Sequence, residues 1–172
     1  MTGVQTCALP ISLLSILAAL LWRRLAAIDS RAVVPAERIA LLRANSIFAP
    51  LPPAAVEHLA AKLRPRSVAS GEVVFREGDL GDLFYLVENG RCEVTIDGEK
   101  VADAWPGEAF GEIALLRDVP RTATVTAAED TTLLALDRDE FIAAVTGYAP
   151  SREAADSVIG SRLASLTGVA TA

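Results

Sequence analysis

Only two cysteines, Cys7 and Cys92, and one histidine, His58, occur among the 172 residues. Two thiols in unrelated contexts exclude a disulfide framework and a four-thiolate zinc site, and a single imidazole excludes a His-rich metal cluster. Basic residues are in deficit too: 16 Lys and Arg against 22 Asp and Glu give a formal charge of −6. Nucleic acid is therefore not expected as the main partner, because phosphate backbones need a basic face. The long apolar run, residues 8–22 (ALPISLLSILAALLW), holds fifteen residues with a proline near its start. A complete membrane span needs about 20. Neither a P-loop nor a G-x-G-x-x-G occurs, so nucleoside triphosphate and dinucleotide sites have no motif behind them. His58 has no nucleophile and acid beside it that would make a triad, and the acids cluster at turns, where solvated structural roles are the default. No catalytic residue, metal or resident cofactor is expected.

What is present describes an ordered globular chain, with 52% apolar and 22% charged residues. Its length suits one domain with a short appendage, able to bury roughly 70% of its extended-chain surface. The N-terminal end differs from the body. Residues 2–11 (TGVQTCALPI) back-translate to ACTGGAGTTCAGACGTGTGCTCTTCCGATC, which resembles a sequencing adaptor read in frame. Residues 1–11 are accordingly expected to be non-native, which leaves Cys7 without function. Residues 12–33 read as the end of a truncated transmembrane helix followed by a basic linker: the apolar run leads directly into Arg23 and Arg24, as at a cytoplasmic surface. A signal peptide fits less well, since no basic region precedes the run. Residues 1–36 carry three arginines against Asp29, leaving 13 cationic and 21 anionic residues in 37–172. The acidic part, residues 34–172, is the expected soluble module.

Within that module the hydrophobic period changes twice. Residues 36–44 after Pro35, and residues 54–63, predict two short helices separated by a proline turn; Val56, Leu59, Ala60 and Leu63 share a face and His58 lies opposite. From Arg66 onward apolar residues alternate. Val68, Val73, Phe75, Phe84 and Leu86, then Cys92, Val94 and Ile96, mark short strands with turns at 77–79, 88–90 and 97–98. Further strands are expected at 100–104, 122–127 and 132–136, with Cys92 a small core residue. Helices return at 138–145 and 151–166. Strands at this spacing, punctuated by glycine, indicate an α+β fold: a small β-barrel or jelly roll flanked by N-terminal and C-terminal helices.

One segment has a different character. Residues 110–124 read FGEIALLRDVPRTAT. Gly111 permits close backbone approach, the apolar run can form a helical turn with free N–H groups, and Arg121 can bind the same anion bidentately. Glu112 cannot hold a phosphate but can accept hydrogen bonds from a neighbouring sugar hydroxyl. The pair suits a ligand with one phosphate and one hydroxyl; an ordinary Glu112–Arg121 salt bridge across the turn is the alternative that this spacing leaves open.

The stretch resembles the phosphate-binding cassette of the cyclic nucleotide-binding domain family, which includes regulatory subunits of cyclic-AMP-dependent kinase, cyclic-nucleotide-gated channels and catabolite activator proteins. The family pattern FGE-[IL]-A-L followed by P-R-x-A-[ST] is met without a gap, and residues 71–90 (GEVVFREGDLGDLFYLVENG) resemble the strand, turn, strand and glycine turn that precede it. The resemblance covers residues 47–166. It implies a double-stranded β-helix jelly roll and a binding site at Gly111, Glu112, Ile113, Ala114, Arg121 and Thr122. In it Glu112 would take the ribose 2′-hydroxyl and Arg121 the cyclic phosphate. Backbone groups of Ala114 and Thr122 would complete the phosphate shell, and Gly111 would support the turn. Cyclic AMP stands ahead of cyclic GMP on the breadth of the family, although Thr122 resembles a guanine-contacting threonine. Tyr148, Ile159 and Arg162 are the candidates to cover the base.

Only six residues follow Leu166, too few for a helix-turn-helix domain, so direct DNA binding is not expected. Residues 28–53 and 137–166 resemble segments of bacterial major facilitator transporters that carry this domain at the C-terminus. That resemblance implies an upstream membrane domain, a position at the cytoplasmic face of the membrane, and regulation of transport by a cyclic nucleotide. A cyclic-nucleotide-gated channel, a stand-alone sensor, a module feeding an enzyme and a degenerate scaffold barrel without ligand are the alternatives. The long C-terminal helix is a candidate homodimer surface.

Overall fold

The computed structural model describes residues 35–169, with side chains described as far as Ala164. The adaptor-like residues 1–11 and the apolar segment and linker, 12–33, lie outside the described residues, and no helix among the described residues is long and apolar enough to cross a membrane.

Two short helices open the module, α1 (Ala36–Ala44) and α2 (Pro53–Lys62). Pro53 stands in the first turn of α2, where its missing N–H costs nothing. Asn45 ends α1 and fastens the corner that follows: its Oδ1 accepts from Ile47 N at 3.1 Å and its Nδ2 donates to Gly107 O at 3.3 Å. Then come β1 (Arg64–Val68), β2 (Val73–Phe75), β3 (Leu83–Asn89), β4 (Cys92–Ile96), β5 (Glu99–Ala104) and β6 (Ala109–Phe110). A one-and-a-half-turn helix, α3 (Glu112–Arg117), interrupts the strands before β7 (Thr124–Ala127) and β8 (Thr131–Asp137), and the helices α4 (Arg138–Thr146) and α5 (Ala149–Val169) follow.

The strands form two four-stranded antiparallel sheets, in the orders β1-β8-β3-β6 and β2-β7-β4-β5. This is the expected jelly roll with flanking helices. Between the sheets lie Val68, Tyr85, Val87, Cys92, Phe110, Val125, Ala127, Leu133 and Ala135. Registers such as Tyr85↔Ala135, Tyr85↔Phe110 and Cys92↔Ala127 bring these residues side by side. Cys92 is fully buried there, as its alternation with Val94 and Ile96 predicts.

β3 and β8 are buried on both faces. Successive residues of a strand point to opposite sides, so Phe84, Leu86, Leu134 and Leu136 face away from the intersheet core, yet each is at most 1% exposed. The helices cover this outer face. Phe84 stacks on Phe141 of α4 with centroids 4.5 Å apart, and Phe48 meets both rings edge-on at 5.3 and 6.0 Å. Leu42, Leu59 and Ile159, from α1, α2 and α5, complete the buried apolar set on the helical side. His58 is solvent-exposed, as expected, and joins α2 to α4 by facing Glu140, which also receives Lys62 Nζ at 2.7 Å.

Candidate functional site

Gly111 leaves β6 with φ +92°, a left-handed conformation that starts α3 at Glu112. An added Cβ would lie 2.5 Å from Arg121 Nη1, so this position admits no side chain without moving the arginine. Asp118 ends α3, again left-handed at φ 53°, and its Oδ1 accepts from Arg138 Nη2 at 2.6 Å. The returning segment is hung on the turn before β3: Arg121 N donates to Asp79 O at 2.8 Å and Gly78 N donates to Arg121 O at 2.9 Å. Because these bonds go to a loop rather than to a sheet neighbour, β7 starts at Thr124 instead of at Thr122, where the sequence pattern places it.

Arg121 is 4% exposed. Its Nη2 donates to Leu83 O at 2.6 Å, its Nη1 to Gly111 O at 3.1 Å, and its Cζ lies 4.1 Å from the centroid of the Phe75 ring. Burial pushes the guanidinium below its ordinary value, while Tyr85, Asp82, Glu112 and Asp79 pull it back up. It stays a cation, since an arginine side chain is not deprotonated in a protein. Glu112 is 1% exposed. The two do not form the salt bridge that their spacing leaves open. Glu112 Oε1 instead accepts from Arg162 Nη1 at 2.6 Å, and Arg162 Nη2 donates to Ala109 O at 2.7 Å.

These residues line one cavity of about 250 Å³. All six site residues expected from the sequence, Gly111, Glu112, Ile113, Ala114, Arg121 and Thr122, contribute to its wall. The remaining lining is mainly apolar, with Phe75, Val94, Ile96 and Val101, and also includes Asp103 and Glu108. Of the three residues proposed to cover a base, Arg162 lines this cavity. Ile159 is fully buried, and Tyr148 is exposed and is not among the residues lining the cavity. Ile159 carries the packing of α5 and is spent in the core.

Three buried side-chain atoms among the described residues lack a hydrogen-bond partner: Glu112 Oε2, Arg121 Nε and Ser151 Oγ. Buried polar atoms are almost always paired, so an exception asks for an explanation. Two of the three belong to the acid and the cation of this cavity. The wall is thus built on a buried carboxylate and a buried guanidinium, each with one unpaired polar atom, beside an apolar lining. No group of His, Cys, Asp and Glu among the described residues is arranged to hold a metal ion.

Residues 65–148 match the family described as "Cyclic nucleotide-binding domain". These residues belong to that family. The cyclic nucleotide-binding domain here is 46% identical over 108 residues to the acetyltransferase Pat of Mycolicibacterium smegmatis, an alignment covering 60% of this chain and 32% of that protein. It is 41% identical over 97 residues to the cAMP-dependent protein kinase regulatory subunit of Yarrowia lipolytica, covering 56% of this chain and 26% of that one. Among solved structures, the regulatory domain of Toxoplasma gondii PKA with cAMP superposes with a TM-score of 0.61 at 34% identity, over 63% of this chain and 43% of that chain. The chain thus spans about a quarter to a third of the length of these two curated relatives. The cyclic nucleotide-binding domain places its cassette on the Gly111 corner, and the partner of Glu112, fifty residues further on, is the element that motif reading leaves undetermined.

Proposed function

We propose that this domain binds a cyclic nucleoside monophosphate in the cavity beside α3 and acts as a regulatory module without turnover. The observation that carries the reading is the burial of Arg121 and Glu112 in one wall, each with an unpartnered polar atom. Arg121 supplies the countercharge to the cyclic phosphate, and the N–H groups of Ala114 and Thr122 add neutral donors. Glu112 Oε2 accepts from the ribose 2′-hydroxyl. Val94, Ile96 and Val101 give the base an apolar seat. Cyclic AMP is the favoured ligand, on the strength of the kinase regulatory subunits that the domain resembles.

Calorimetry with cyclic AMP, cyclic GMP and the two linear 5′-monophosphates tests this. Cyclic nucleotides should bind and the linear ones should not. Arg121→Ala should cost about 2–5 kcal/mol of affinity by leaving the anion without its countercharge. Glu112→Ala should cost about 1–3 kcal/mol for one hydrogen bond to a charged group. Equal binding of all four nucleotides, or of none, overturns the proposal and leaves a scaffold barrel.

For the full protein we propose a bacterial membrane transporter of the major facilitator class with this domain at its cytoplasmic face. The apolar run ending in Arg23 and Arg24 and the likeness of the flanking segments support it. A second reading, a regulatory module joined to an enzyme, is favoured by the 46% identity to an acetyltransferase. Reading the genomic frame upstream and downstream separates the two: repeated runs of about 20 apolar residues would mark a transporter or channel, and an acyltransferase sequence would mark the enzyme.

A further inference from the structure

β2 is short and irregular: its pairing with β7 shifts register between Val73 and Phe75. Neighbouring side chains of a regular strand point to opposite faces. Here Val74 is buried in the intersheet core, and Phe75, the next residue, packs against the same core. A bulge of this kind re-aims a side chain. The Phe75 ring lies beside Tyr85 and Phe110, with centroids 6.0 and 5.8 Å away, and it also lines the cavity. Over that ring stands the Arg121 guanidinium, its Cζ 4.1 Å from the centroid.

The contact answers a difficulty posed by Arg121. A buried cation has to be compensated, but a carboxylate bonded to it would neutralise the charge and repel an arriving phosphate. Asp82, Glu112 and Asp79 act on it through space, while its hydrogen bonds go to two neutral carbonyl oxygens, Leu83 O and Gly111 O. An aromatic face attracts a cation through the ring quadrupole, carries no net charge, and does so more strongly when the pair is desolvated. Gly81 confines the same group, since an added Cβ there would lie 3.2 Å from both Cζ and Nε of Arg121. The guanidinium is thus held by groups that leave its charge intact, and Nε stays buried without a partner.

We propose that Phe75 is a positioning residue for phosphate recognition: its ring face holds the Arg121 guanidinium in the cavity wall without neutralising it, so that affinity for the cyclic phosphate depends on the electron density of a ring on β2. This rests on the cyclic-nucleotide reading given above and adds to it the group that keeps the phosphate-binding cation in place.

The test is calorimetry on the full chain with cyclic AMP and cyclic GMP, with Phe75 replaced in turn by mono-, di- and trifluorinated phenylalanine. Fluorine draws electron density from the ring face and barely alters its size. Phe75→Leu, which removes the ring, should weaken both ligands roughly threefold to thirtyfold, by lowering the fraction of molecules whose guanidinium is in place. The fluorinated rings should fall between, in order of fluorine content. The two ligands share the cyclic phosphate and should weaken in parallel. The same series at Phe110 is the control: it lines the same cavity and packs on Phe75, but no cation among the described residues lies over its ring, so affinity should stay unchanged. A flat series at Phe75 overturns the proposal, because packing alone tolerates fluorine. An equal fall in the Phe110 series overturns it too, by placing the effect in the fluorine rather than in the cation. A fall for one base alone would mean that the ring touches the base, and also overturns it. Urea denaturation verifies that each variant is folded, and the near-isosteric fluorinated rings decide the matter should Phe75→Leu lose its fold. If the unmodified chain binds neither cyclic nucleotide, the function proposed above falls and this inference with it. If it binds them and the Phe75 series is flat, the function stands and this inference alone fails.

Discussion

Replacing Gly111 with alanine and comparing it with Gly98→Ala separates backbone strain from loss of the site. Both glycines are left-handed, at φ +92° and +84°. Forcing an L-residue into that region costs about 1–2 kcal/mol at either position. At Gly98, the tip of the β4–β5 hairpin, an added Cβ meets nothing within 4 Å. At Gly111 it would lie 2.5 Å from Arg121 Nη1 and 3.2 Å from Leu83 O. The nearer atom is the end of a long side chain and can swing away, so the collision is relieved by displacing the guanidinium. Displacement breaks its bonds to Gly111 O and Leu83 O. Each of those bonds is donated by a charged group and carries about 1.5–3 kcal/mol net, so losing both on top of the backbone strain should cost Gly111→Ala about 4–8 kcal/mol of folding free energy against about 1–2 for Gly98→Ala. Affinity should divide the pair more sharply. Cyclic nucleotide binding should fall at least tenfold, about 1.4 kcal/mol or more, in Gly111→Ala and stay unchanged in Gly98→Ala. Urea denaturation and calorimetry on the two variants measure both quantities. Unaltered affinity in Gly111→Ala, or equal losses in both variants, would refute the claim that this glycine exists to let Arg121 into the wall.

Phe141→Ala should destabilise the domain by about 3–5 kcal/mol, read as a lower urea midpoint, since its ring is fully buried against Phe84 and Phe48. Burial pushes the Cys92 thiol up to about 11, against an opposing hydrogen bond with Thr131, so at pH 8 it should resist alkylation until denaturant is added. Peptide mapping by mass spectrometry distinguishes it from Cys7. The Glu140 carboxyl is held below its ordinary 4.5 by hydrogen bonds from Lys62 and, less strongly, His58, with burial opposing. A depressed carboxyl contributes stability above its unfolded value and loses it as pH falls through the folded one. The stability difference between the natural chain and Glu140→Gln should therefore shrink on acidification below 4.5 in urea titrations.

The barrel was legible because its strands announce themselves locally. Cys92, Val94 and Ile96 alternate, and the Asp97-Gly98 pair closes the hairpin with both residues at positive φ, as a tight two-residue turn requires. The cassette was legible for the same reason: Gly111, Glu112 and Arg121 lie within eleven consecutive residues, and the fold brings them to one wall. What the sequence left open depends on contacts made over long separations. LFYLV in β3 and LLAL in β8 are continuous apolar runs, consistent with strands covered on both faces, but nothing local names Phe48 and Phe141 as the cover. In the same way α5 offers Tyr148 just before it, Ile159 and Arg162 within it, and no periodicity chooses among them. Packing decides, by sinking Ile159 into the core and leaving the next turn to carry Arg162 across to Glu112.

The order of one sheet has a consequence for how the chain is made. β8 is the last strand to be synthesised, yet it sits between β1 and β3 and pairs with both. A nascent chain that has emerged only as far as β7 therefore holds β1 without any sheet partner and β3 with just the two-residue β6 along one edge. Those unpaired edges are open to other chains for as long as translation of the remaining segment takes. Termination before Thr131 would leave a polypeptide with the whole binding cassette and the strands of one complete sheet, but without the strand that joins β1 to β3 in the other. The folding of the site thus waits on a strand that contributes no residue to the cavity wall.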